Sequence, residues 1–416
     1  PTIAAFRYPH YEKRWDMQVK TWLLPEGIDE LLPAQARALE RLRRELLDMY
    51  ATWGYQMVVT PFIEFLDSLL TGTGRDLELQ TFKLVDQSSG RMLGVRADIT
   101  PQAARIDAHR LRHEAPTRLC YIGSVLRTRS DGFSGSRSPL QIGAELYGHA
   151  GVASDVEIVC LTMATLRIAG LRDIYLDLGH VGIFRSLAEA AGLDGRQEAA
   201  LFEALQRKAC AEIAELVDAF GLEKDMRRML LALAELNGGE EVLPLARKVL
   251  ADAPPAVLTA IDYIDAVSAS LRQRLPDLPV HYDLAELRAY HYQTGVVFAA
   301  FVPGEGQEVA RGGRYDEIGK VFGRARPATG FSADLKTLMR LGSHAAVPLA
   351  DAILAPDDRA PGLLARIDEL RAAGRVVIGE LPGQVGDASQ MGCAYRLQQQ
   401  GDDWVVVPLE QSTKKR

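Results

Sequence analysis

Cysteine is scarce and scattered. Cys120, Cys160, Cys210 and Cys393 are the four in 416 residues, and no two of them form a C-x-x-C pair. That spacing argues against a disulfide scaffold or a cysteine-built zinc site and for a reducing compartment, leaving packing as the role of the thiols. Long apolar runs are missing as well. No stretch approaches the ~20 residues of a membrane-spanning helix, and the N-terminal PTIAAFRYPHYEKRW has no apolar core of signal-peptide length. The cytoplasm is the expected location, with no membrane partner. Excess charge is also lacking: a net charge of −7 gives no global pull toward nucleic acid and leaves only a local basic groove as a route to it. The common catalytic signatures are absent, including G-x-x-x-x-G-K-[ST], H-E-x-x-H, G-x-S-x-G and a G-x-G-x-x-G after a strand.

What is present is the length for two or three domains, with 47% apolar and 25% charged residues, ordinary for a soluble globular chain. Residues 1–30 read as an extended arm ending in WLLPEGIDE. An amphipathic helix follows, with Leu39, Leu42, Leu46 and Tyr50 at helical spacing, and Gly54 ends it. YQMVVTPFIEF reads as a strand broken by Pro61, and TFKLVD, RMLGVRAD, RLCYIGSVLRT and LQIGAELYGH as short strands. A helix over DVEIVCLTMATLRIAG and a strand over DIYLDLGH complete this block. Residues 183–275 carry helical periodicity with almost no strand signal and read as an insertion. Strand character returns in VHYDLAEL, TGVVFAAFVPG and EVARGGRYDEI, and GFSADLKTL reads as a helix start. The expected class is α+β, an antiparallel sheet flanked by helices, with the core in 31–182 and 276–342. A small α/β domain over 345–416 is expected to hold one βαβ unit and a closing hairpin at WVVVPL.

Several local motifs each admit two readings. His109 and His113 stand four apart on an expected helix and could share a metal, but a solvated RLRHE face fits the lack of further ligands better. Gly312 and Gly313 suit a hairpin bend or an anion site, and Arg311 and Arg314 suit solvated charges or anion ligands. Arg127 in VLRTR, on an expected strand facing the flexible SGSRS loop at 134–138, has the same ambiguity. Gln141 and Glu145 are four apart, so strand alternation puts them on one face, either lining a pocket or facing solvent.

Their joint order carries more. A helix, then a strand with Pro61, then VRADIT, VLRTR, LQIGAE, LRAYHYQTG, ARGGRYD and GFSADLKTL resembles the catalytic core of class II aminoacyl-tRNA synthetases over roughly residues 20–342, histidyl-tRNA synthetase in particular. The resemblance implies a dimer-interface role for Pro61 and contact of Arg127 with a carboxylate and an α-phosphate through its fork of donors. It puts Arg288 near the reacting phosphate, Asp98 on a substrate amino group, Gln141 and Glu145 in a histidine pocket, and Tyr315 after the paired glycines. Gln293 stands where the synthetase has an imidazole-facing tyrosine.

The nucleotide half departs from that pattern. Thr337 takes the place of an adenine-stacking arginine, an interaction worth about 0.5–2 kcal/mol. Asp334 replaces a glycine beside the polyphosphate position, where like charges about 4 Å apart repel by on the order of 4 kcal/mol at an effective dielectric near 20. Lys336 replaces an acidic residue, and Arg129 replaces a glutamate. The tail after 345 is shorter than the roughly hundred-residue anticodon-binding domain of a synthetase, and its eight Lys/Arg against ten Asp/Glu give −2, unlike a tRNA-binding surface.

These substitutions, as they stand in VRADITPQAAR, LRAYHYQTGVVFAAFVPG and ARGGRYDEIGKVFGRARPATGFSADLKTL, resemble the regulatory subunits of short-form ATP phosphoribosyltransferase, synthetase paralogues without synthetase activity. The resemblance implies a non-catalytic subunit for the first step of histidine biosynthesis, needing no cofactor or metal. It implies partnership with a short catalytic glycosyltransferase chain, a homodimer within a hetero-octamer, no nucleic-acid partner, and allosteric feedback by histidine. Asp98, Arg127, Gln141, Glu145, Arg288 and Tyr315 form one candidate histidine pocket. The alternative is an inherited scaffold, with the effector at a subunit interface or on the partner. An active histidyl-tRNA synthetase would exchange pyrophosphate into ATP, and an RNA-binding paralogue would bind tRNA in a salt-sensitive manner.

Overall fold

The computed structural model describes residues 23–71, 75–130, 135–287, 290, 292–342, 351–385 and 387–409. Most of the expected N-terminal arm (residues 1–22), Ser134 of the SGSRS loop and Arg288 lie outside the described residues. Two compact units emerge, Pro1–Glu30 with Leu42–Ser343 and Leu31–Arg41 with His344–Arg416.

The first unit is built on a nine-stranded sheet with a three-stranded one beside it. Its strands in chain order are β1 (Gln56–Met57), β2 (Ile63–Phe65), β3 (Phe82–Val85), β4 (Met92–Val95), β5 (Thr117–Ser124) and β6 (Leu140–Tyr147). There follow β7 (Tyr175–His180), β8 (Asn237–Gly238), β9 (Val280–Asp283), β10 (Val296–Phe301), β11 (Ala310–Arg314) and β12 (Ala328–Asp334). The large sheet runs β1-β5-β6-β12-β11-β10-β7-β9-β8, and the small one β2-β4-β3. All neighbours in the large sheet are antiparallel except β1 with β5 and β7 with β9. The α+β expectation therefore holds.

The helix Pro33–Thr52 follows from its sequence period. Leu42, Leu46 and Tyr50 are buried at four-residue spacing, and Gly54 turns the chain away with a left-handed φ of 81°. Val152–Ile168 carries apolar residues around most of its surface and is buried accordingly, packing on β11, β12 and β6. From Val181 to Arg274 the chain is helical apart from the two-residue β8. In the second unit, β13 (Ala352–Ala355), the helix Pro361–Ala372 and β14 (Val377–Gly379) form a βαβ unit, and β15 (Cys393–Gln400) pairs with β16 (Asp403–Pro408) as a hairpin. Ile353, Leu363, Ile367, Val377 and Leu397 make its core.

Several local expectations change. GFSAD is a strand; the helix begins only at Leu335, with Asp334 as its N-cap. Gly312 and Gly313 lie inside β11 rather than at a bend. A Cβ on Gly312 would stand 2.3 Å from the Gly330 carbonyl, so the glycine permits close strand approach. His109 sits in a π-helical turn, Ile106–Leu111, that ends at left-handed Arg112, so His113 lies beyond it. Among the described residues no cluster of three His, Cys, Asp or Glu could hold a metal, and no helix is long and apolar enough to cross a membrane. Arg127 lies past the end of β5, outside any named strand, and forms an isolated bridge to Thr81. Around Pro61 the expected long strand shrinks to β1 and β2, and its apolar residues Met57, Val59, Phe62 and Ile63 are exposed.

Candidate functional site

β5, β6 and β12 lie side by side, and β11 follows beyond β12. On β6, Gln141 and Glu145 point to one side and both are buried, at 3% and 1% exposure, so the solvent-facing reading fails. Gln141 is wired at both ends of its amide. Its Oε1 accepts from the Ile99 amide at 2.9 Å, and its Nε2 donates to Asp98 Oδ1 at 2.8 Å. Asp98 Oδ1 also accepts from the Thr100 amide at 2.9 Å.

Glu145 sits deeper. Its Oε1 accepts from the Tyr121 hydroxyl at 2.8 Å and its Oε2 from the Tyr315 hydroxyl. Thr100 Oγ1 lies 3.0 Å from the Tyr121 hydroxyl and extends the network. Burial pushes the Glu145 carboxyl up to about 8, against the two phenols that stabilise its charge, and the neighbouring Asp98 adds to the rise. Gly330 faces Glu145 across the β6–β12 ladder. A Cβ there would fall 1.6 Å from Glu145 Oε2, so the carboxylate occupies the space a side chain would need. Tyr292 stacks on Tyr315 at 4.9 Å, and Tyr147 meets it edge-on at 6.5 Å. The Tyr292 hydroxyl and Gln293 Oε1 are buried without a hydrogen-bond partner. These are polar atoms that a ligand could satisfy.

Asp98, Gln141, Glu145 and Tyr315, expected together from the resemblance, are thus joined in one buried neighbourhood. Arg127 borders it from the side, its Nε 3.4 Å from the Ala97 carbonyl. Arg288 lies outside the described residues. Tyr121, Thr100 and Tyr292 went unnoticed in the sequence. One signal was available for Tyr121: Gly143, in the middle of β6, lies opposite it, and a Cβ there would stand 2.5 Å from the phenol oxygen.

A cleft of about 140 Å³, also bordered by Gln141, holds the altered residues Asp334 and Thr337 together with Arg127, Arg311, Arg340 and Glu305. Two of its arginines are already paired. Arg340 pairs with Glu305 Oε2 at 2.9 Å and Arg311 with Glu308 Oε1 at 3.3 Å. Asp334 Oδ1 accepts from the Leu140 amide at 3.0 Å and the Lys336 amide at 3.2 Å, and Oδ2 from Thr337 Oγ1 at 2.9 Å. Burial nevertheless raises its carboxyl above the ordinary range. Lys336 is drawn off to Asp29 Oδ1 at 2.9 Å and the Ser138 carbonyl at 2.8 Å. Arg129 is exposed beyond β5. Arg314, by contrast, is no solvated charge: it is buried and pairs with Asp155 Oδ1 at 2.9 Å.

Antiparallel sheet, crossing helices and buried Gln-Glu strand together define a histidyl-tRNA synthetase-like protein of the class II architecture. The profile of the family described as "Histidyl-tRNA synthetase" matches residues 27–338, and "ATP phosphoribosyltransferase subunit HisZ C-terminal domain" matches 350–407. The chain is 62% identical to the ATP phosphoribosyltransferase regulatory subunit of Alkalilimnicola ehrlichii, over 93% of this chain and 97% of that one. A solved ATP phosphoribosyltransferase regulatory subunit/histidyl-tRNA synthetase from Bacillus halodurans superposes with a TM-score of 0.79 at 27% identity, covering 89% of this chain and 95% of the other. Histidyl-tRNA synthetase from Nostoc shares the fold at 17% identity and a TM-score of 0.73, over 93% and 97% of the two chains. The chain belongs to the family of ATP phosphoribosyltransferase regulatory subunits.

Proposed function

We propose that this chain is the non-catalytic regulatory subunit of a short-form ATP phosphoribosyltransferase, the glycosyl-transferring enzyme of the first step of histidine biosynthesis, and that it confers feedback control by histidine. The observation that carries this reading is the division within the site. The amino-acid side keeps a connected set, with Gln141, Glu145 and Tyr315 buried and Asp98 half-buried at its edge. On the nucleotide side, Asp334, Lys336 and Thr337 hydrogen-bond to their own chain. A polyphosphate entering there would meet a buried carboxylate with matched partners rather than free cations.

The deciding experiment measures phosphoribosyl-ATP formation by the short catalytic chain of the same organism, with and without this protein, while histidine is titrated in. Turnover should depend on this protein and fall with histidine, and histidine-dependent ATP–pyrophosphate exchange by this protein alone should be undetectable. Exchange at synthetase rates, or turnover indifferent to the protein, would sink the reading.

Histidine is assigned to the pocket around Asp98, Gln141, Glu145 and Tyr315, with Arg127 at its border. Feedback requires that histidine bind two states of the complex with different affinity. Self-association within a hetero-octamer is the assembly this reading carries. Its support is the number of exposed apolar residues near Pro61, among them Met57, Val59, Phe62, Ile63 and Phe65, with Val59 83% exposed. Val59→Asp is expected to convert the isolated dimer to monomer in sedimentation velocity while leaving the circular dichroism spectrum unchanged. A dimer that survives the substitution would move the interface elsewhere.

A further inference from the structure

Tyr292 and Gln293 lie between β9 and β10, and nearby Tyr290 is held by two helices that follow β7. Tyr290 is buried, with its ring 5.5 Å from Phe184 and 5.3 Å from Phe202. The Arg185 guanidinium lies 4.9 Å from the centre of the same ring, and the Tyr290 hydroxyl donates to Glu198 Oε1 at 2.6 Å. Phe184 and Arg185 belong to the helix Val181–Ala190, and Glu198 and Phe202 to the helix Gly195–Gln206.

One nitrogen sets the geometry. Arg185 Nη2 donates to the Tyr290 carbonyl at 2.9 Å and to the Gln293 carbonyl at 3.0 Å. These two carbonyls flank Tyr292, so the guanidinium fixes the turn from which the Tyr292 ring projects. That ring stacks on Tyr315, whose hydroxyl donates to Glu145. A continuous set of contacts thus runs from the helices after β7 to the buried carboxylate. The two N–H bonds of that nitrogen are fixed in the guanidinium plane, whereas a lysine ammonium is a flexible point charge without that fixed geometry.

We propose that Arg185 and Glu198 are positioning residues of the amino-acid pocket. Acting through Tyr290, they place Tyr292 and Gln293 and so set the affinity for histidine. Neither touches the ligand. The proposal rests on the reading of this pocket as the histidine site, and its test separates the two. Occupation of the pocket then alters the load on the helices Val181–Ala190 and Gly195–Gln206, which gives the bound state a physical route into the helical segment.

The test uses the full chain. Histidine binding is measured by calorimetry, and amide hydrogen exchange is followed over residues 292–296 and 313–316, for wild type, Arg185→Gln, Arg185→Lys and Tyr290→Phe. Arg185→Gln is expected to weaken histidine about tenfold and to speed exchange in both segments. Arg185→Lys should fall between it and wild type. Tyr290→Phe keeps the ring packing, removes the hydroxyl's contacts with Glu198 and Arg185, and should weaken histidine about threefold. Exchange unchanged in Arg185→Gln, or exchange raised with histidine affinity unchanged, would overturn the proposal, the second result reducing Arg185 to a structural clamp. A wild-type chain that binds no histidine would overturn the pocket reading, and with it the histidine half of the proposal. The exchange data would then still decide whether Arg185 positions Tyr292.

Discussion

Replacing Glu145 with glutamine is expected to weaken histidine about a hundredfold and to remove feedback inhibition in the assembled complex, while leaving activation of the catalytic chain intact. The side chain is buried between two phenols that donate to it. Its carboxyl is pushed up to about 8, first by burial and then by the charge of Asp98, so near neutrality it is largely protonated in the empty pocket. Glutamine mimics that neutral form in size and shape, and folding stability at pH 7 should change by no more than about 1 kcal/mol. Only the ionised form can pair with the cation of bound histidine. A buried charge-assisted contact of this kind is worth roughly 1.5–3 kcal/mol, which brackets the expected loss.

Proton linkage gives the same substitution a second readout. The folded carboxyl titrates near 8, above the ordinary 4.5, so folding takes up a proton there between those values. The stability this group contributes is fully present below about pH 4.5 and is lost as the pH rises through 8. Histidine, by favouring the ionised form, must expel that proton. Its affinity should therefore climb between pH 6.5 and 8, with proton release visible as a dependence of the calorimetric heat on buffer ionisation. The variant should lose this slope and keep only the titration of the ligand's own imidazole, near a pKa of about 6.5. Inhibition of the complex that is unchanged in the variant would remove Glu145 from the effector site.

Breaking the pair of Asp107 with Arg326 should produce the largest loss of stability. Arg326 Nη1 meets Asp107 Oδ1 at 2.8 Å, at exposures of 7% and 2%, and its Nη2 donates to the Ala115 carbonyl at 2.8 Å. These bonds tie the π-helical turn and the approach to β5 to the segment entering β12. Arg326→Met leaves a buried carboxylate alone, and unfolding in urea should show about 3–5 kcal/mol lost. Adding Asp107→Leu should return part of this, because replacing both partners removes the orphaned charge. Recovery should stop short of wild type, since the carbonyls of Ala115 and Glu114 also accept from Arg326 and would stay unmet. A single-variant loss below about 1 kcal/mol would show that water reaches Asp107 once the arginine is gone.

The strands that alternate or run apolar, β5, β6, β7 and β10, were legible because burial imposes those patterns. β12 was not. GFSAD carries one large apolar residue, and Gly330 is small because the Glu145 carboxylate fills the space of a side chain there. Close packing had erased the strand signal. Pairing of Gln141 with Glu145 on one face could be read from spacing alone, but their partners could not. Asp98 is 43 positions from Gln141, and Tyr315 is 170 from Glu145, and no local periodicity reports such contacts. The substitutions at Asp334, Lys336 and Thr337 were visible as departures from a family pattern. That they would satisfy one another and nearby backbone groups required coordinates. The exposed residues around Pro61 show the converse limit, since an apolar run in sequence looks the same whether it fills a core or waits for another chain.

The β6–β12 pairing also bears on how the chain is made. Ala328 aligns with Tyr147, a separation of 328 − 147 = 181 residues. On a ribosome adding about 5–20 residues per second, β6 emerges roughly 10–35 seconds before its second neighbour exists. Through that interval one margin of the half-built sheet has open backbone donors and acceptors, the kind of template on which nascent chains aggregate. Gln141 and Glu145 make that margin a poor match for an apolar strand of another chain. An apolar strand of another chain would have to desolvate both polar side chains to pair there.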